Sequence, residues 1–217
     1  MKKSLLLLAA LAMTISVQAQ HEEGDLTIQP RVGVSFSNIT GDDLFSEDTK
    51  MKVNLTYGFE VEYSFTDKLS IAGGLLFTDQ GYKFDYYELV DGENLHSYQV
   101  QKTAKFNNYY AAVPITLNYY LVEGLAIKAG VQPSFRVKTK LEANGRKMDL
   151  DDALDFLFSN QEVTINKFDL MIPVGLSYEY KNIVFDARYN FGLIKVFKGL
   201  DVTSRNSLIT LTLGYKL

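Results

Sequence analysis

Val53-Asn54-Leu55-Thr56-Tyr57-Gly58-Phe59-Glu60-Val61-Glu62-Tyr63-Ser64-Phe65 is a run of unbroken period two. Val53, Leu55, Tyr57, Phe59, Val61, Tyr63 and Phe65 share one face. Asn54, Thr56, Gly58, Glu60, Glu62 and Ser64 share the other. Successive side chains of an extended chain point to opposite sides, so this stretch reads as a β-strand with one apolar, aromatic face and one polar or charged face.

Working outward, the same pattern recurs along the chain. Strands are predicted at 69–77, 109–121, 125–137, 168–180, 183–193 and 209–217. A first strand near 26–38 alternates less cleanly through Val32, Val34 and Phe36. That makes eight strands, many close to the ~9–11 residues that a tilted membrane-crossing strand needs. Strands of soluble sandwiches are nearer ~5–6 residues. Tyr63, Phe65, Tyr119, Tyr178 and Tyr215 fall near strand ends, where interfacial aromatic girdles would place them.

The connections supply a second, independent pattern. Thr66-Asp67-Lys68, Val122-Glu123-Gly124 and the turn at Lys181-Asn182 are short. The others, about 39–52, 78–108, 138–167 and 194–207, are long. Strict alternation of short and long is the requirement of an eight-stranded antiparallel up-and-down transmembrane β-barrel with both termini on the short-turn, periplasmic side. Tyr- and Phe-rich segments in the second long connection predict a hairpin that extends beyond the membrane.

The direction of the polar face follows from the same reading. In a membrane it must turn into the lumen, which eight strands leave just wide enough for side chains to fill. Glu60, Glu62, Lys128, Arg136, Asp169, Glu179, Asp186 and Arg188 therefore form a predicted lumen charge network. Arg136, Lys128 and Arg188 are candidate partners for the glutamates. The expected result is a plugged interior and no open pore.

Composition narrows the function classes. The chain has 217 residues, 47% of them hydrophobic, with 14 Tyr, 14 Phe and no Cys. Thiol catalysis, disulfides and Cys metal sites are excluded. Lys2 and Lys3, the apolar run Leu5 to Val17, and Val17-Gln18-Ala19 form a signal-peptide pattern with cleavage after Ala19, so 1–19 is read as signal peptide and 20–217 as the barrel domain. Removing Lys2 and Lys3 from the 22 basic residues leaves 20 against 26 acidic ones, a net charge of −6. An acidic exported chain is a poor nucleic-acid binder. No later stretch reaches the ~18 consecutive apolar residues of a membrane helix.

A few features fall outside the strand pattern. Leu150, Ala153, Leu154, Leu157 and Phe158 recur with helical period, and Asp149 is a fitting N-cap. A short helix over Asp149–Asn160 is therefore expected in the third external loop. Asp149, Asp151, Asp152 and Asp155 lack the Gly and closing Glu of a Ca²⁺ loop, and helix capping explains them better. Asp42, Asp43, Glu47 and Asp48 read as a solvated loop. His96 with Ser97, and Asp91 with Glu93, are the only materials for a catalytic site, and a solvated loop accounts for them more simply.

With the strands in place, the chain resembles the PorT-like family of outer-membrane β-barrel proteins of Gram-negative bacteria. The resemblance is carried by Arg31-Val32-Gly33-Val34, by Gly74-Leu75-Leu76-Phe77 with Gln80-Gly81, and by Tyr109-Tyr110-Ala111-Ala112-Val113-Pro114-Ile115. Ala129-Gly130-Val131-Gln132-Pro133 and Asp186-Ala187-Arg188-Tyr189 with Phe191-Gly192-Leu193 complete it. It spans residues 26 to 217, and Leu217 stands where barrels commonly end in Phe. The resemblance implies an outer-membrane location and, through the family's named member, an association with protein secretion and gliding machinery. It transfers no binding residues.

These readings converge on a non-enzymatic, monomeric outer-membrane barrel without cofactor or metal. Its role would be structural, anchoring or surface-interacting, with lipid and envelope or secretion proteins as partners. The alternatives are a small barrel enzyme, such as a protease or lipid acyltransferase, and a soluble periplasmic barrel whose aromatic faces line a ligand cavity.

Overall fold

The computed structural model describes residues 22–41, 49–91, 97–143, 146–149, 164–198 and 203–217. The strands run β1 (Leu26–Gly41), β2 (Thr49–Lys50), β3 (Lys52–Thr66), β4 (Leu69–Asp79), β5 (Tyr82–Asp91), β6 (Ser97–Ala112) and β7 (Ile115–Val122). They continue as β8 (Leu125–Ala143), β9 (Arg146–Asp149), β10 (Thr164–Ile165), β11 (Phe168–Tyr180), β12 (Ile183–Lys195), β13 (Phe197–Lys198) and β14 (Ser204–Tyr215).

Eight antiparallel staves close on themselves. Around the barrel they are β1, β3, β4, the combined β6–β7, β8, β11, β12 and β14, and β14 returns to β1 with Arg31 opposite Gly214. β6 and β7 form one stave interrupted at Val113-Pro114. Pro114 has no N–H to give the ladder, and its carbonyl accepts from Gly74 N (3.1 Å) while Val113 N donates to Pro133 O (2.8 Å). Each stave thus finds hydrogen-bond partners on both sides, which removes the exposed edges of an open sheet.

The three tight turns, the start of β1 and the C-terminal Leu217 lie at one end of the barrel. Leu217 N donates to Ile28 O, and Lys216 N donates to Asn182 O. Several staves outrun their expected lengths at the other end. The strand expected at 125–137 continues to Ala143, the first reaches Gly41, and the last begins at Ser204. The second long connection forms the hairpin β5–β6, which extends the wall outward. One extra residue, Val137, is inserted opposite Tyr109 and Tyr110. This bulge leaves Val137 and Lys138 both facing outward and returns Thr139 to the interior. The helix expected over Asp149–Asn160 falls outside the described residues except for Asp149, which ends β9 opposite Lys140.

The burial pattern is inverted relative to a soluble protein. Val53, Leu55, Tyr57, Phe59, Tyr63 and Phe65 are exposed, whereas Glu60 and Glu62 are 1% and 3% exposed. Leu117, Phe135, Leu176, Phe185 and Leu213 likewise face out, and Asn118, Lys128, Asp186 and Arg188 face in. The aromatic faces point outward and not into the lumen, the reverse of the soluble ligand-binding arrangement. Outward rings gather at both ends of the apolar belt. Tyr63 meets Phe65 edge-on at 5.3 Å near the tight turns, and Tyr57 stacks on Phe77 at 5.7 Å near the other end. Among the described residues no helix is long and apolar enough to cross a membrane, which says nothing of crossing by strands.

Closing so few staves requires sharp coiling, and two inward glycines show how it is reached. A Cβ on Gly58, whose φ is 156°, would stand 2.0 Å from Leu75 O, and one on Gly130 would stand 1.9 Å from Ile115 O. Adjacent backbones occupy the space a side chain would need. Gly58→Ala should therefore lower barrel stability by about 1–3 kcal/mol. The measurement is the urea midpoint of the folded band on a semi-native gel, and an unchanged midpoint would refute the close-approach argument.

Candidate functional site

Among the described residues the barrel wall encloses a lumen, and its lower half, toward the tight turns, is ionic. Every inward position on β3 carries a polar or small residue because the lipid-facing phase is taken by apolar ones. That places Glu60 and Glu62 one pleat apart in the interior. β12 places Asp186 and Arg188 likewise, and β1 brings Gln29 and Arg31 beside β3.

Glu60 is the centre of the arrangement. Arg188 grips it in a two-pronged contact, Nη1 to Oε1 at 2.6 Å and Nη2 to Oε2 at 2.8 Å. Arg31 Nε approaches Glu60 Oε2 at 3.0 Å. Asp186 is held by Arg188 Nε (2.7 Å), Lys128 Nζ (3.0 Å) and Arg31 Nη1 (3.3 Å). Arg31 also donates to Gln29 Oε1 at 2.8 Å and Thr212 Oγ1 at 3.3 Å.

A pleat lower, Glu62 accepts from Gln29 Nε2 (2.7 Å), Ser70 Oγ (2.5 Å), Asn118 Nδ2 (2.8 Å) and the Tyr120 hydroxyl (2.8 Å). Lys216 lies 3.6 Å from Glu62 and 2.5 Å from Glu179. Four carboxylates, Glu60, Glu62, Glu179 and Asp186, thus meet four cations, Arg31, Lys128, Arg188 and Lys216. All eight staves contribute, since β4 supplies Ser70 and β7 supplies Asn118 and Tyr120. Charge balance matters because isolated charges this deeply buried would be strongly destabilising.

Two of the eight residues singled out in the sequence stand elsewhere. Arg136 sits near the opposite end, donating to Ile165 O (3.0 Å), Asn166 O (3.2 Å) and Thr139 Oγ1 (2.8 Å). It lies eight residues along β8 from Lys128, which at strand rise is about 26 Å. It therefore braces the β10 segment rather than serving the glutamates. Asp169, at the start of β11, accepts from Asn206 Nδ2 at 2.8 Å. The sequence reading omitted Arg31 and Lys216, though both occupy inward positions. It also missed the buried pair of Lys52 Nζ with the Asp79 carboxylate, to which Asn107 Oδ1 adds a further acceptor. Lys52 and Asp79 each lie beyond the strand ends expected from alternation.

Above the ionic layer the filling changes character. Tyr82 stacks on Phe106 at 5.4 Å, and Phe106 meets Phe197 edge-on at 6.4 Å. Ile39, Leu141, Ile165, Val196 and Leu208 pack at the same end and are at most 4% exposed. Phe197 is held there by the small β10–β13 ladder, where it faces Ile165. The sequence reading expected charge pairs throughout and did not foresee this apolar plug.

The catalytic materials do not assemble among the described residues. Asp91 and Ser97 are paired across the β5–β6 hairpin, and His96 and Glu93 lie outside the described residues. Asp42, Asp43, Glu47, Asp48, Asp151, Asp152 and Asp155 also lie outside them. Among the described residues no group of three or more His, Cys, Asp or Glu could hold a metal ion.

Comparison with known proteins agrees with this architecture. The family described as outer membrane protein beta-barrel domain matches residues 18–198. Neisserial surface protein A (NspA) superposes with a TM-score of 0.50 at 14% identity, covering 89% of this chain and 99% of that one. The attachment invasion locus protein Ail of Yersinia pestis gives 0.47 at 18% identity, over 90% and 99%. OprG of Pseudomonas aeruginosa gives 0.44 at 17% identity, over 91% and 98%. At such identities the likeness to NspA is one of fold alone. No curated protein sequence matches the chain.

Removing one partner of a buried ion pair strands the others. Arg188→Ala, which leaves Glu60 and Asp186 short of their shared cation, should destabilise the barrel by about 3–5 kcal/mol. Adding Glu60→Ala to it should cost much less than the sum of the two single changes. Equilibrium unfolding in lipid vesicles reads both, and additive effects would dissolve the coupled network.

Proposed function

The chain belongs to the outer membrane protein beta-barrel domain family, and we propose that it works there as a sealed, non-enzymatic barrel that anchors and displays its long loops. It is an outer-membrane protein, and its partners on this reading are the surrounding lipid and proteins of the envelope. The observation that carries the reading is the doubly filled lumen. A neutralised ionic layer occupies the lower half, and Tyr82, Phe106 and Phe197 stop the mouth. A filled interior leaves transport through the barrel without a route, so activity falls to the outward surface and the loops.

Its lumen carboxylates also favour a non-enzymatic role. Glu60 and Asp186 are each engaged by two or more cations, which leaves neither as a free general base. Further parts of the proposal are a monomeric state, export through a signal peptide cleaved after Ala19, and kinship with the PorT-like branch. That kinship would make a secretion or envelope complex the setting in which the loops act.

Cell fractionation and planar-bilayer recording test this together. The mature protein should begin at Gln20, sediment with the outer membrane, change gel mobility on heating and pass no steady current. A soluble periplasmic pool would sink the anchoring role, and a stable conductance would sink the sealed lumen.

A further inference from the structure

The outer wall near the long loops carries a band of lysines that a sealed barrel does not need. Lys50, Lys83, Lys105, Glu142 and Lys147 stand opposite one another in register across β2, β5, β6, β8 and β9. Directly paired residues share a face of the sheet. That face is the outer one, because Ala104 and Phe106 on either side of Lys105 are buried while Lys50, Lys105 and Lys147 are exposed. One pleat nearer the barrel, Lys140 stands between Asn107 and Asp149, and a further pleat down Lys138 stands beside Tyr109.

These rows hold six lysines and two carboxylates, on a chain whose net charge is −4. Like charges set directly opposite one another destabilise a sheet, and Lys83 stands directly opposite Lys105. An anion lying over them would relieve that repulsion. The surface directly beneath is apolar and aromatic. Leu55, Tyr57, Phe77, Tyr109 and Val137 line a hollow of about 520 Å³ whose rim includes Lys138 and Lys140. Lysines above, aromatic rings at the boundary and an apolar hollow below follow the layering of a lipid from headgroup to acyl chain.

We propose that this face binds a phosphate-bearing lipid headgroup of the surrounding leaflet, with Lys83, Lys105, Lys138 and Lys140 around the phosphate and an acyl chain in the hollow. Charge complementarity and continuity with the apolar belt select a lipid over a soluble anion. Lysine serves as a compact, mobile point charge for phosphate. The proposal rests on the outer-membrane placement of the barrel, whose failure would show separately as a soluble periplasmic pool on cell fractionation.

Native mass spectrometry of the detergent-purified full-length mature protein tests it, with diphosphoryl lipid A and its dephosphorylated form as probes. Wild type should retain the phosphorylated lipid preferentially, and retention should weaken as ionic strength rises. Changing the four lysines together to Gln should lower retention about tenfold or more, and changing them to Arg should preserve it. Gel mobility on heating verifies folding of each variant. If the fourfold Gln variant does not fold, Lys105→Gln with Lys138→Gln, both at exposed positions, gives the same reading with a smaller loss. Equal retention of both lipids, unchanged retention in a folded Gln variant, or full displacement by inorganic phosphate alone would overturn the lipid site.

Discussion

A ring of eight staves leaves an interior no wider than the side chains that fill it. A cluster of charges buried in that space must be neutralised within it, because the outer surface is apolar. Glu60 meets this demand through the paired prongs of Arg188 and the edge of Arg31. The rest of the ionic layer follows from that contact. Asp186 offsets part of the positive charge of the two arginines and Lys128, leaving one charge over, and Glu62 with Glu179 exceeds Lys216 by one, so the layer is neutral only as a whole. The contacts join residues as far apart as Glu60 and Arg188, so the layer forms only when the barrel is closed and in register. A slip by one residue would turn Glu60 and Glu62 outward into the apolar belt.

Burying ion pairs is rarely the most stabilising way to fill a space, since desolvation offsets much of the attraction. The upper lumen shows the alternative, with Tyr82, Phe106 and Phe197 packed as in a soluble core. The ion cluster around Glu60 and the aromatic plug stand at different heights, with the Lys52–Asp79 pair beside the plug. Ionic groups fix the register of the staves where the turns are tight. Aromatic packing fills the interior at the end where the staves rise into hairpins. The inward glycines at 58 and 130 allow neighbouring backbones to come close enough for this closure.

The outer surface obeys a different rule, because there the solvent is lipid. Its apolar belt ends in rings near both rims, and lysines stand over one of them. The chain is acidic as a whole, yet six of its lysines stand together on one outer face at the long-loop end. Charge placement on this barrel is thus resolved by compartment: balanced pairs inside, and an excess of lysine along one sector of the outer rim.

Alternation from Val53 to Phe65 and its repeats determined the strands, their inward faces and the barrel, because period two is a local property of the extended chain. The spacing of turns determined the up-and-down order for the same reason. Alternation assigns a side chain to a face but not to a height. Arg136 and Asp169 fall in the polar phase of their strands, yet only the register between staves shows that they stand far above Glu60. Arg31 was obscured by the uneven first strand, and Lys52 and Asp79 by strand ends that a fading pattern marks too early. The apolar plug was equally hidden, since Tyr82, Phe106 and Phe197 come from segments read as connections. The choice of partners in the lumen, the aromatic packing near its mouth and the row of lysines outside were decided by tertiary structure, because each depends on which residues of different strands lie side by side.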